Sequence, residues 1–541
     1  MKKLISIILI GIYFISLNDT LAQNQYTMEW SQENNSQVIP YTSDCANVFS
    51  YECQKIRLDS DNNVIVGGNS FESGNSNFLV IKYSNNGSLI WKQLIDISNQ
   101  SDDYMTGIFI DNNNDIIVTG VSETSDQESK SVIIKLNDDG NILWESLYSN
   151  EYDWSVPQNL AIDSNGNIFL TGYVNWEWNS TEMFVCKFDS AGNYIWDYVH
   201  SSDNLSRHRG LTTKIIDNSI ISLGFAYSTY PEPGNKLLIL KHTLTGELIS
   251  SSETSYEGNL IRSHIDNIGN SYIGMFGDFR LFKYDQLGNQ EWVFEVTSDL
   301  PDNVTADQVH DIISDENGNI YITGRHYGEG YGTTNYTNAD IQVNKISPQG
   351  DLIYNYRYEN LGTNAADVGN KLFLGNNNYI TVGGQSQDNL SGGYNYLAVV
   401  LDDLGEPIDT LRSQGLGGDS VIKSVTMDEN LNLYVTGTGN GDTLTQKYSF
   451  SNTMNINEVP ETEAKLKVYP NPFSNELKII TEDIQELSEF ILFNLNGAIV
   501  YRKSIENESV LNFEAITIPK GLYFYKITYK NNFQFGKLIK E

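Results

Sequence analysis

From residue 24 to residue 450 the chain is a succession of short apolar runs, each four to six residues long, separated by clusters of Asp, Asn, Gly and Ser. One stretch shows the pattern. Ile162-Asp163-Ser164-Asn165-Gly166-Asn167 reads as a turn, Ile168-Phe169-Leu170-Thr171-Gly172 as a strand and Phe184-Val185-Cys186-Lys187-Phe188 as a second strand. Gly192-Asn193-Tyr194-Ile195-Trp196 then reads as a turn entering a third. The runs are too short for helices, and their bounding residues are turn formers, so the pattern predicts an all-β protein.

The pattern repeats. The glycine that closes the first of these strands, the B strand of its copy, recurs at Gly68, Gly120, Gly172, Gly224, Gly274, Gly324, Gly384 and Gly437, eight copies about 50 to 60 residues apart. Val80-Ile81-Lys82-Tyr83 is followed by Gly87 and Trp91, Ile133-Ile134-Lys135-Leu136 by Gly140 and Trp144, and Leu281-Phe282-Lys283-Tyr284 by Gly288 and Trp292. Ile249, Tyr354 and Ile408 replace this tryptophan in three copies, which marks it as a packing residue.

Each copy predicts four short strands, A to D, the blade of a β-propeller. The last copy stops after its C strand, Thr445-Gln446-Lys447-Tyr448, and the chain opens with an orphan D strand, Tyr26-Thr27-Met28-Glu29-Trp30. Joining the two would close a ring and hide its sheet edges. The count is then eight blades, or seven if the fourth copy forms none.

The repeat ends at Phe450. Residues 451–465 read as a polar linker, and 466–541 carry a second all-β pattern that predicts a small β-sandwich. At the other end, Lys2 and Lys3 precede the apolar run Leu4 to Leu17 and the sequence Thr20-Leu21-Ala22. That is the layout of an export signal at 1–22, with 23–450 as the propeller. The run is shorter than the ~20 residues a bilayer requires, and no later run approaches that length.

Composition narrows the partners. A formal charge of -35 leaves no basic patch for a phosphate backbone, so no nucleic-acid partner is expected. Cys45 and Cys53 could pair in an oxidising compartment. Cys186 occupies the position of Ile81 in the first copy, which predicts a buried small side chain.

Two resemblances follow. Asp-x-x-Gly-Asn-x-x-x-x-Gly and Lys-Tyr-x-x-x-Gly-x-x-x-Trp, over residues 24–450, resemble the bacterial SBBP-type β-propeller repeats, although the family's name implies seven blades. The sorting motif of the C-terminal module comprises Tyr469-Pro470-Asn471-Pro472-Phe473, a hairpin ending at Gly497, Gly521 before Leu522-Tyr523, and Lys537-Leu538-Ile539-Lys540. Together these resemble the type A C-terminal sorting domain of the type IX secretion system of Bacteroidota. The resemblance implies recognition by the type IX machinery and a passenger either released or attached to the outer-membrane surface.

Candidate chemistry is sparse. Asp163-Ser164-Asn165-Gly166-Asn167 and Asp315-Glu316-Asn317-Gly318-Asn319 resemble the start of a calcium loop. Val174 and His326 stand where an EF-hand needs its bidentate acid, so these read as hairpin turns. Asp103, Asp153, Asp307, Asp367 and Asp419 open A strands and are metal candidates if they form a ring at the channel mouth, calcium being the cation. The competing reading has each accept backbone N–H groups in its own blade. No other cofactor is expected.

The B–C and D–A loops share the end opposite the tight turns. Tyr173, Trp176, Trp178, Tyr227, Tyr230, His326, Tyr327, Tyr331 and Tyr336 are the ligand-binding candidates there, because aromatic rings beside amides and acids suit glycan or protein surfaces. No Ser/His/Asp order defines a catalytic triad. The sequence thus predicts a non-enzymatic adhesion or binding module, with a polysaccharide lyase or glycoside hydrolase and a structural surface component as alternatives. Mass spectrometry of the exported protein is expected to find Gln23 as its first residue and the C-terminal module removed.

Overall fold

A computed structural model of the chain describes residues 25–34, 55–71, 74–98, 101–123, 128–148, 154–177, 180–200, 207–228, 234–277, 279–296, 307–326, 339–358, 366–376, 378–387, 393–413, 419–439, 442–451, 466–474, 476–481, 487–494, 499–504, 510–512, 518–529 and 532–541. Among them lie thirty-nine strands and no helix. The chain divides into two compact units, Met1–Phe450 and Ser451–Glu541. The export signal, Cys45 and Cys53 lie outside the described residues, as do residues 452–465 of the linker.

In the first unit the strands pair as four-stranded antiparallel meanders, A to D in chain order. Three stand as separate sheets. Three more are joined only by single parallel pairings, Trp154 with Ser129 and Thr181 with Arg207, and two meet at Phe276–Gln308 and Gly277–Asp307. The meanders, numbered in chain order, occupy 55–95, 103–148, 154–200, 207–256, 259–296, 307–358, 367–413 and 420–450. The eighth has only three strands of its own. Tyr26–Asn34 supplies the fourth by pairing antiparallel with Asp442–Phe450, from Tyr26↔Phe450 to Asn34↔Thr443. The architecture is all-β and propeller-like.

The recurring glycines have a different origin from a strand terminus. Gly172 lies inside Ile168–Glu177 and Gly324 inside Ile320–His326. Opposite each, the A strand carries a β-bulge, between Pro157 and Asn159 and between Val309 and Asp311. The bulge drives a carbonyl against the B strand: a Cβ on Gly172 would lie 2.0 Å from the Val156 oxygen, and one on Gly324 1.8 Å from that of Gln308. Only glycine admits this approach. The last strand of a copy runs on past its tryptophan, as Leu89–Ile95 does past Trp91, and register puts Ser250 and Asp409, rather than Ile249 and Ile408, at the tryptophan's position in the fourth and seventh copies.

Neighbouring meanders are fastened by one contact that recurs. The indole N–H of Trp91 donates to the Asp138 carbonyl (3.0 Å), and the ring lies over Gly140 of the same turn in the next meander. Trp196 does this to Leu244 and Gly246, and Trp292 to Pro348 and Gly350. The C-strand lysine reaches the same carbonyl, as from Lys187 to Leu244 (3.0 Å) and Lys283 to Pro348 (3.1 Å). Trp30 and Lys447, at the far end of the repeat, both donate to Asn85 of the first meander, and Trp30 covers Gly87. Along the inner strands, the Ile56 amide of the first meander donates to Ser424 Oγ of the eighth.

The tight turns are closed by their own acids. Asp163 accepts the amides of Asn165 and Asn167 and the Asn167 side chain, and Asp315 repeats the arrangement with Asn317 and Asn319. Their carboxylates are therefore spent within hairpins. Cys186 is buried, its thiol pushed well up by desolvation.

The second unit is built from a three-stranded and a four-stranded sheet. Phe473 is buried in its core, where Leu477, Phe490, Leu492 and Leu538 also lie. Asn471 clamps the last strand: its Nδ2 donates to the Lys537 carbonyl, its Oδ1 accepts from the Ile539 amide, and Phe473 exchanges backbone bonds with Ile539 and Glu541. Tyr469, Pro470, Pro472, Gly521 and Lys537 are exposed, Lys540 lies over the Phe473 ring, and Gly497 is outside the described residues.

Gly324→Ala is expected to destabilise the protein by about 3 kcal/mol in urea unfolding, because the bulge carbonyl has no room to retreat. Trp30→Ala is expected to lower stability by a similar amount, about 3 kcal/mol, through loss of a buried ring.

Candidate functional site

At the end of the meanders opposite the tight turns, A strands begin and B strands finish, so residues distant in sequence face each other in register. In the third and fourth meanders this end is aromatic. Trp154 opens an A strand opposite Asn175, with its ring exposed. Tyr227 finishes a B strand opposite Arg207 and Asn235, and it too is exposed. Below them the Arg209 guanidinium lies over the Tyr173 ring, 4.4 Å from its centroid. This is a cation–π contact. Burial raises the Tyr173 hydroxyl above its ordinary range, opposed by the charge of Arg209.

A polar group borders the aromatic one. Glu253 accepts from Lys236 Nζ at 2.9 Å and lies 3.3 Å from His200 Nε2. These partners hold its carboxyl below the usual range although burial works the other way. His208 is buried with Nδ1 3.2 Å from the Thr181 carbonyl, and desolvation lowers its pKa.

Four candidates of the sequence analysis change character. Tyr173 and Trp176 belong to the strand Ile168–Glu177 rather than to a loop, because that B strand runs on to pair with Ser180. Tyr173 is half-buried under Arg209 and does not offer a free face. His326 is a buried strand residue, with Nδ1 3.0 Å from Asp307 Oδ2. Pairing with an acid from the neighbouring A strand draws it inward, so it is not part of an exposed loop. Tyr227 also lies in a strand, Ser219–Ser228, rather than in a loop, and is exposed near its end. Trp178, Tyr230, Tyr327, Tyr331 and Tyr336 lie outside the described residues.

Among the described residues the acids considered for a carboxylate ring hold separate partners. Asp103 is buried and accepts from the Ile97 amide (2.8 Å), while Asp307 pairs with His326. The buried Asp367 donates its own amide to the Ala339 carbonyl of the preceding meander, and Asp419 accepts from the Tyr394 amide (3.1 Å). Asp153 is outside the described residues. Asp103, Asp307 and Asp367 open their strands and Asp419 directly precedes one, and the partners of Asp367 and Asp419 belong to the preceding meander. Among the described residues no three His, Cys, Asp or Glu side chains gather closely enough to hold a metal ion.

Trp154 and Arg209 were missed in the sequence. Trp154 directly follows Asp153 at an A-strand start, the signal that would have found it. Arg209 carries no such signal, since its ring partner lies in another repeat.

His242 is also unusual. It is fully buried beside Trp196 and Tyr198, where other copies have Tyr83, Phe188 or Tyr284, and neither ring nitrogen has a hydrogen-bond partner among the described residues. Burial, with a smaller contribution from His200, lowers its pKa to about 4.

Residues 467–541 match the secretion system C-terminal sorting domain family. No curated protein matches the chain. Among solved structures the chain is similar to a protein of unknown function from Bacteroides caccae, with 10% identity over 52% of this chain and 90% of that one at a TM-score of 0.31. It is similar to a streptogramin B lyase at 11% identity over 78% and 98%, TM-score 0.36. A eukaryotic initiation factor shares 10% identity over 88% and 96%, TM-score 0.40. At such low scores these likenesses carry no argument about activity. The tail, by contrast, marks a type IX secretion substrate, exported to the cell surface or the extracellular space.

Replacing His242 with Phe is expected to improve stability at acid pH. A histidine of unfolded pKa near 6.5 and folded pKa of about 4 stabilises fully above 6.5, and its contribution falls away between 6.5 and 4. The loss is on the order of 3 kcal/mol. Denaturant melts at pH 7.5 and pH 4 should show the variant losing less between them than the wild type.

Proposed function

We propose that residues 23–450 form a closed eight-bladed propeller of SBBP-type repeats. After type IX export it serves as a non-enzymatic binding module, taking glycan or protein at the aromatic end of the third and fourth meanders. Support for closure comes from the pairing of Tyr26–Asn34 with Asp442–Phe450 and from the Trp30, Lys447 and Ser424 contacts between the eighth meander and the first. The observation that carries the binding reading is the exposure of Trp154 and Tyr227 on adjacent meanders, with Arg209 stacked on Tyr173 beneath them. Rings of this kind cover the apolar faces of sugars or side chains, and Arg207, Asn235 and Glu253 supply polar groups.

A polysaccharide-active enzyme is the second reading, favoured by one contact. His326 and Asp307 form a buried imidazole–carboxylate pair, the arrangement by which an acid orients a general base.

The exported chain, probed on a glycan and polysaccharide array with a product assay on every hit, distinguishes the two. Binding without product is expected. Trp154→Ala with Tyr227→Ala should weaken it at least tenfold while the melting temperature holds, and Trp176→Ala with Trp178→Ala should weaken it less. Undiminished binding by the folded Trp154/Tyr227 variant would remove the aromatic end from the site. Product release that disappears in Asp307→Asn would establish the enzyme reading instead.

A further inference from the structure

The outermost strands present an apolar surface at the other end of the fold, beside the tight C–D turns. In the first four meanders the D strand begins with two large apolar residues: Leu89 and Ile90, Ile142 and Leu143, Tyr194 and Ile195, Leu248 and Ile249. All eight are between 40% and 58% exposed. Singly exposed apolar residues are ordinary, but four consecutive meanders with the same exposed doublet, which recurs once more as Leu352 and Ile353 of the sixth, make an arc.

The doublets arise from a second β-bulge. Lys82 pairs with Trp91 and Tyr83 with Leu89, leaving Ile90 unpaired, and Leu143, Ile195 and Ile249 are skipped in the same way. A bulge on an outer strand protects its edge from pairing with another chain. Edge protection does not require an apolar residue. The fifth and eighth meanders have Glu291 and Glu29 at the skipped position, ion-paired to Lys283 and Lys447. The sixth meander repeats the apolar choice with Leu352 and a skipped Ile353, each 49% exposed, so acid stands in place of the doublet only at some meanders and the bulge alone does not explain the choice.

Charge says what would cover the arc. The outer strands and C–D turns of these four meanders hold seven carboxylates and one lysine, Lys92; Asp138 is paired with Lys82, Asp189 is bonded within its own turn and Glu253 lies at the aromatic end, while Asp139, Glu145 and Glu247 are exposed beside the doublets. Beside the turns the C-strand lysines are engaged, Lys82 with Asp59 and Asp138, Lys135 with Asp111, Lys187 with Leu244 and Lys241 with Gln286, and the C-strand lysines nearer the other end, Lys130 and Lys236, pair with Glu128 and Glu253. Apolar side chains set among acids complement a surface that pairs apolar groups with cations. They disfavour a second copy of this acidic face and an anionic lipid surface, by like-charge repulsion.

We propose that this arc is a docking surface for a polypeptide segment that alternates apolar residues with lysine or arginine. It is separate from the aromatic end, so the two sites are lost independently.

The test uses the full exported chain and two fourteen-residue peptides, alternating Lys–Leu and alternating Lys–Ser, measured by fluorescence anisotropy at 0.15 M salt. The Lys–Leu peptide is expected to bind at least tenfold more tightly. Ile90→Ser, Leu143→Ser, Ile195→Ser and Ile249→Ser together should abolish that preference. Should this variant misfold, Asp139→Asn with Glu145→Gln and Glu247→Gln provides a second measure, weakening both peptides about threefold. Equal affinity for the two peptides, or a preference retained by the folded serine variant, would overturn the proposal. So would arc-dependent binding to phosphatidylcholine/phosphatidylglycerol vesicles, or arc-dependent dimerisation in sedimentation, without any Lys–Leu preference.

Discussion

The fold depends on a contact that no single repeat can make. A four-stranded meander has two open edges and too little thickness to bury its own faces, so its stability comes from its neighbours. The tryptophan of one meander covers a turn glycine of the next and donates its N–H to the carbonyl two residues earlier, as with Trp91, Gly140 and Asp138. The turn glycine has positive φ and no side chain, which lets the ring approach the backbone directly. Covering the ring contributes on the order of 2 kcal/mol or more, and the hydrogen bond about 1 kcal/mol.

The lysine in the same contact explains how a charged residue stays inside an apolar repeat. Lys82 is almost wholly buried, yet its ammonium meets Asp59, Asp138 and the Asp138 carbonyl. Attraction to these acids raises its pKa even though desolvation acts in the opposite direction. An unpaired ammonium there would be strongly destabilising, so lysine and turn acid work as one unit. Where Trp is absent, part of the contact survives: Tyr354 covers Gly405, and Ser252 sits against Gly288.

This arrangement divides labour between the two ends. The tight-turn end is occupied by fastening and has little freedom to vary. The opposite end carries the parts that differ between repeats, including Trp154, the Arg209–Tyr173 pair, Tyr227 and the His326–Asp307 pair. The C-terminal unit is a third element, held by the Asn471 clamp on its last strand.

The sequence alone determined the all-β class, the strand and turn positions, the missing fourth strand of the last copy and the sorting tail, because these follow from local periodicity and turn chemistry. Asp163 and Asp315 read correctly as turn acids for the same reason. What only the tertiary structure decided were contacts between repeats. The glycine at 172 or 324 exists for a carbonyl on the partnering A strand, and His326 is drawn inward by an acid nineteen residues away. Tyr173 lost its free face to an arginine of the next meander, and Leu89 and Ile90 gained exposure from a bulge. Periodicity reports which face of a strand a residue occupies, whereas the neighbour that covers that face is set by how the meanders pack.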